Sequence, residues 1–224
     1  NLEEQGVAEP GGQCVAITDP GSPLMHFAVQ RHFLDGLEGS PDVGGRFSAL
    51  TPFAMAPGAL LGMDLGAVAH SALQMTEQCK VDEASNNPGL ALGSWLAEQS
   101  LAGRDCLQLC IDEQYRAFGS WVEQLIAEST GKEGKGILPL NDADASAPRS
   151  RVARVILGAS TNETFWQRYP EADDDGVPTQ RITLEKEADL GGEFFRWCFA
   201  VAVAGAAMQL NPFDEPDVAA TKAV

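Results

Sequence analysis

Positive charge is scarce in this sequence: 15 Lys and Arg stand against 32 Asp and Glu, for a net charge of −17. So acidic a surface repels phosphate backbones and anionic headgroups, which argues against nucleic-acid and membrane partners. An anionic ligand would need a locally positive pocket, and Arg46, Lys132 and Lys222 are the candidates for one. Histidine is also rare, with only His26, His32 and His70. The longest apolar stretch, Phe194 to Leu210, is broken by Arg196 and padded with Ala and Gly, which suits a buried helix better than a bilayer. The five cysteines are an odd number without the spacing of a disulfide framework. Free thiols in a reducing, cytoplasmic setting are the natural reading.

Familiar nucleotide signatures are missing too. The turn Asp19-Pro20-Gly21-Ser22-Pro23 after the first apolar run lacks the Gly-x-Gly-x-x-Gly fingerprint, so no dinucleotide is implied. Gly131 to Gly136, GKEGKG, leaves a helix and enters a strand, the reverse of a Walker-type phosphate loop. The spacing in Glu171 to Gly176, EADDDG, fails the EF-hand pattern and reads as a solvated turn. Cys106 and Cys110 on a predicted strand have poor metal-ligand logic. None of these patterns points to a dinucleotide or a metal site.

What is present is an alternation of strands and helices. Gln13–Asp19, Cys106–Ile111, Gly136–Leu140, Val152–Gly158 and Gln180–Leu184 read as strands. Helices are predicted over about 24–34, 56–78, 86–101, the stretch from Trp121, and 189–210, with another starting at Asp214. This predicts a three-layer α/β/α sandwich with a mostly parallel five-stranded sheet. Residues 1–12 read as a lead-in from something upstream, and 13–224 as the domain itself.

The stretch Trp121 to Leu140 organises the rest. Val122, Leu125 and Ile126 recur at helical spacing, Glu128 closes the helix, and Ser129, Thr130 and Gly131 supply polar and breaker residues. A lone carboxylate at such a junction can be partly desolvated and thereby become a useful base. A polar cap on a helix end is the plainer reading. Earlier in the chain, Gly44 and Gly45 precede Arg46 in a loop over 42–52. Paired glycines let backbone approach a ligand closely and leave the arginine free to point at it, although a surface turn would look the same.

Three blocks together carry a resemblance. Glu128-Ser129-Thr130-Gly131-Lys132, within AESTGKEGKGILP, resembles the Glu-Ser-x-Gly-Lys segment of phosphoglucose isomerases. Its variant here is similar to the branch fused to transaldolase. Gly44-Gly45-Arg46-Phe47-Ser48 resembles that family's Gly-Gly-Arg-aromatic-Ser motif. Asn211-Pro212-Phe213-Asp214-Glu215-Pro216-Asp217-Val218, followed by Lys222, resembles its C-terminal motif.

The resemblance implies a sugar isomerase domain that interconverts glucose 6-phosphate and fructose 6-phosphate through an enediol, with no metal or organic cofactor. Glu128 would be the base, Arg46 would stabilise the enediolate, and Lys222 would assist near the ring oxygen or phosphate. Gly45, Ser129 and Lys132 would contact substrate. The family implies a homodimer, and an upstream domain whose Ser/Thr-rich loop holds the phosphate. That loop is not in this sequence, and no histidine lies between Glu128 and Lys222 to open the sugar ring. The competing expectation is a sugar-phosphate-binding or assembly module without catalysis.

Overall fold

The computed structural model describes residues 4–141, 147–170 and 175–214. The chain forms two compact units, Asn1–Leu65 and Gly66–Val224.

In the first unit, β1 (Val15–Thr18) and β2 (Asp35–Glu38) form a two-stranded parallel sheet joined by α1 (Pro23–Gln30). Ser22 caps α1 by accepting from the Met25 amide at 3.1 Å, and Pro23 fits the first helical position, where no amide hydrogen is needed. β2 was not foreseen, because its sequence, Asp-Gly-Leu-Glu, has neither an apolar run nor a β-branched residue. A 3₁₀ turn, Gly45–Leu50, leads into α2 (Pro52–Leu60), so the loop expected over 42–52 is largely helical.

The long helix expected over 56–78 is in fact two helices, α2 and α3 (Leu65–Gln78). Gly62 is the reason. It adopts φ +84°, and its amide and that of Met63 bond back to Ala59 and Gly58, closing α2 with a left-handed residue.

The second unit holds a four-stranded parallel sheet in the order β4 (Leu138–Asn141), β3 (Cys106–Ile111), β5 (Val152–Ala159), β6 (Thr179–Leu184). All five expected strands exist, but the first pairs with β2 in the other unit, so this sheet has four rather than five. Side chains alternate across it. Ile111 lies on the face covered by α5 (Arg116–Thr130), where a Cβ on Gly119 would stand 3.0 Å from Ile111 Cγ1. Cys110 and Ile156 lie on the opposite face under Phe165 of α6 (Glu163–Gln167). Gly158 lets α6 lie so close, since a Cβ there would collide with the Phe165 ring. Helices on both faces make this the expected three-layer arrangement.

α7 (Leu190–Met208) is the central helix of this unit. It packs on α4 (Pro88–Leu101) so tightly that a Cβ on Gly93 would collide with the Ala200 carbonyl oxygen. By length and composition its region passes for a membrane span, yet Trp197, Ala200, Val201 and Ala204 are completely buried. A helix apolar nearly all round is explained by burial on several sides.

Candidate active site

The candidate base sits where a helix ends at the amino edge of the sheet. α5 runs back from the carboxyl end of β3 and stops at Thr130, beside the start of β4. Helix continues two residues past Glu128, and Gly131 follows as its cap. Thr130 fixes the junction. Its buried hydroxyl donates to the Ile126 carbonyl at 2.8 Å and accepts the Ile137 amide at 2.9 Å, bolting the helix end to the incoming strand. The turn between them needs left-handed backbone at Glu133 and Gly134, with φ of 56° and 72°.

Glu128 itself is exposed, and its Oε1 accepts a hydrogen bond from Gln124 Nε2 at 3.0 Å, one turn earlier. The partial burial expected of this carboxylate is therefore not found in the structure. Ser129, expected to touch substrate, is fully buried and belongs to the packing of the helix end. The two polar residues after Glu128 point inward, which helical periodicity alone did not signal.

Lys132 departs most from expectation. Its Nζ donates to the Asn211 carbonyl at 2.6 Å, to the Asp214 carbonyl at 2.7 Å, and to the Asp214 carboxylate. An ammonium has three hydrogens, so these acceptors occupy all of them. With its side chain only 9% exposed, Lys132 is a clamp on the C-terminal motif rather than an open substrate ligand. Lys135 acts nearby, directing Nζ to the Met208 carbonyl at 3.4 Å, in the last turn of α7. Cations there complement the helix dipole and its orphan carbonyls. Both lysines of GKEGKG thus serve the end of α7 and the turn that follows.

The structure therefore joins two of the three motif blocks, Glu128–Lys132 and Asn211–Asp214. Arg46 belongs to the other unit, in the 3₁₀ turn, buried to 4% exposure with its guanidinium 5.6 Å from the Phe47 ring centroid. The side chain expected to point freely from a loop is enclosed. Gly45 is exposed, and open space lies where its Cβ would be. Lys222 and the helix expected from Asp214 lie outside the described residues, as does much of the acidic turn at 171–176.

One polar centre went unnoticed in the sequence. Asp112, 3% exposed, follows β3 and accepts from Gln114 Nε2 and Asn162 Nδ2, both at 2.9 Å, and from the Ala159 amide at 3.3 Å. Burial pushes its carboxyl up, but these hydrogen bonds outweigh that and hold it below the ordinary carboxylate value. It ties together the carboxyl ends of β3 and β5, the usual ligand edge of an open α/β sheet. Glu128 lies at the opposite edge.

Comparison with known proteins separates fold from activity. No family model matches the chain. It is 26% identical to a glucose-6-phosphate isomerase of Methanocaldococcus jannaschii, over 95% of this chain and 62% of the relative. A glucose-6-phosphate isomerase of Synechococcus sp. is 35% identical over 80% of this chain and 33% of its own length. Among solved structures, a hypothetical protein from Thermus thermophilus superposes with TM-score 0.82 at 20% identity, covering 98% of this chain and 64% of that one. A glucose-6-phosphate isomerase from Chlamydia trachomatis gives 0.77 at 16% identity, over 99% and 53%. The fold is of the glucose-6-phosphate isomerase type. The chain is similar to these isomerases at modest identity, and it spans from 62% down to 22% of the lengths of such curated relatives.

Proposed function

We propose that this chain carries the reacting-centre part of a glucose-6-phosphate isomerase. The observation that carries the reading is the joining of the Glu128–Lys132 and Asn211–Asp214 blocks through Lys132, distant in sequence and both part of the isomerase resemblance. Aldose–ketose isomerisation needs a carboxylate to move a proton between neighbouring carbons, and positive charge near the developing enediolate. Glu128 would take the first role and Arg46 the second, with Lys222 near the ring oxygen or phosphate. An exposed Glu128 suits a site completed by further protein. In this scheme Lys132 positions the C-terminal motif and does not bind sugar. The transaldolase-fused branch is the one its motif variant resembles.

The phosphate-binding part would come from an upstream domain, in cis or in trans. The first unit supports this. Two parallel strands alone are marginal, because parallel sheets are normally buried on both faces. Val29, Leu34, Leu60 and Leu61 of this unit are 70 to 88% exposed, large apolar side chains that further strands or helices would cover. A homodimer in the cytoplasm is the matching assembly.

The test is a coupled assay for fructose 6-phosphate formation with the upstream region of a relative supplied, and Glu128→Gln as the blank. Isomerisation that depends on Glu128 is the expected result. Sugar-phosphate binding without turnover would favour the non-catalytic module instead.

A further inference from the structure

A parallel sheet covered on both faces should be apolar through its middle, and on one face this sheet is not. Strand register sets Gln108 of β3, Arg154 of β5 and Thr179 of β6 side by side. The row lies between two apolar clusters on the same face, Cys106 with Val152 and Val177, and Cys110 with Ile156 and Phe165. α6 is only five residues long, and its Phe165 covers the second cluster. Over the row stands a cavity of about 540 Å³, also lined by Arg168 and Arg181.

Its charges are arranged for recognition. Arg154 donates to Gln108 Oε1 at 2.9 Å and to Asp175 Oδ2 at 2.8 Å, so the Arg154–Asp175 pair is neutral and held in place. Arg181 is braced by the Tyr169 carbonyl, with its guanidinium 5.7 Å from the Trp166 ring centroid. These contacts leave most of its donors unused. Arg168 is exposed, and its side chain makes no hydrogen bond or ion pair among the described residues. Two guanidiniums with spare donors facing one cavity stand out in a chain of net charge −17. The guanidinium fork matches oxyanions in bidentate geometry.

We propose that this cavity binds a small phosphate-bearing anion through Arg168 and Arg181, with Gln108 and Arg154 as its floor. The site is separate from Glu128, since Gln108 and Cys110 point away from the face on which α5 packs against Ile111. The inference therefore does not depend on the proposed isomerase activity.

Inorganic pyrophosphate is the probe, titrated calorimetrically into the full 224-residue chain at an ionic strength held constant with sodium chloride. Saturable binding is expected, weakened about tenfold or more in Arg168→Ala and in Arg181→Gln, as loss of a charged hydrogen bond implies. Binding should be unchanged in Lys135→Gln, which removes a cation beside the end of α7, near the Glu128 helix end. Arg168 holds no other side chain among the described residues, so its variant keeps the fold and decides the matter even if Arg181→Gln does not. Three results would each overturn the proposal. They are an absence of saturable heat, binding unaltered in Arg168→Ala, and binding abolished in Lys135→Gln, which would move the anion away from this cavity.

Discussion

The ammonium of Lys132 lies 2.6 Å from the carbonyl oxygen of Asn211, a contact that spans 79 residues of sequence. Together with the Asp214 contacts it fixes where the C-terminal motif leaves α7, beside the helix end that carries Glu128. The turn is also held from within: Pro212 packs on Gly205, and the Asn211 side chain accepts the Phe213 amide at 3.1 Å.

Lys132→Met removes the clamp and keeps the aliphatic stem. Asn211 and Asp214 are exposed, so the loss should be local, with little change in the global unfolding transition. Hydrogen exchange at 210–214 should quicken by about tenfold, the scale set by losing charged hydrogen bonds. Unchanged protection there would mean that the turn is held by Pro212 and Asn211 alone.

Asp112→Asn should cost about 1–3 kcal/mol, since a buried acceptor of three donors is replaced by a group that must present its own amide hydrogens to some of them. The pH dependence has a definite sign. The folded carboxyl lies below its unfolded value, so its stabilisation is complete above the ordinary Asp pKa of about 3.9. It is lost as pH falls through the folded pKa. Denaturant midpoints measured between neutral and acidic pH should therefore fall more steeply for the parent than for Asp112→Asn. Parallel curves would contradict this.

The cysteines give a check on burial. Cys198 has its thiol pushed up to about 12 by burial, and burial also raises Cys79 and Cys106. A thiol reacts as its thiolate, so these should resist a disulfide reagent in the native state. Cys110 is fully buried, which leaves the half-buried Cys14 to react first. Denatured, the chain should show five thiols. Rapid native labelling of Cys198 would contradict its placement.

Glu128→Gln, in a chain supplied with whatever completes the site, should lower isomerisation by at least ~10² with little change in substrate binding. If kcat survives within about threefold, the base is another group, because general base catalysis of this kind contributes ~10² or more.

Much of this architecture was legible in the sequence because apolar period and breaker residues announce buried elements. The run in β5 and the helical spacing of Val122, Leu125 and Ile126 are such signals, and those three side chains are indeed fully buried. What escaped has physical reasons. β2 is polar and exposed, so pairing alone makes it a strand. Which sheet β1 joins depends on long-range register, which local pattern does not encode. At the candidate site the motif residues could be listed but not their orientation. Thr130 turns inward to accept from Ile137, and Lys132 is used up by carbonyls that lie 79 and 82 residues later. Local spacing cannot specify such partners.

The last prediction is that these 224 residues fold cooperatively alone yet isomerise glucose 6-phosphate poorly or not at all. The second unit has its own core, built on Trp197, Leu125, Ile126 and Val155, each completely buried, so a sharp unfolding transition is expected. Turnover is a different matter. Binding energy from a phosphate remote from the reacting carbons is what positions the sugar over the base. Without a domain to hold that phosphate, the loss of positioning corresponds to on the order of 10³ to 10⁵ in kcat/KM. Adding the upstream region of a relative, joined or as a separate chain, should restore activity that Glu128→Gln abolishes. Turnover by the isolated chain near that of a full-length isomerase would place the phosphate site within these residues.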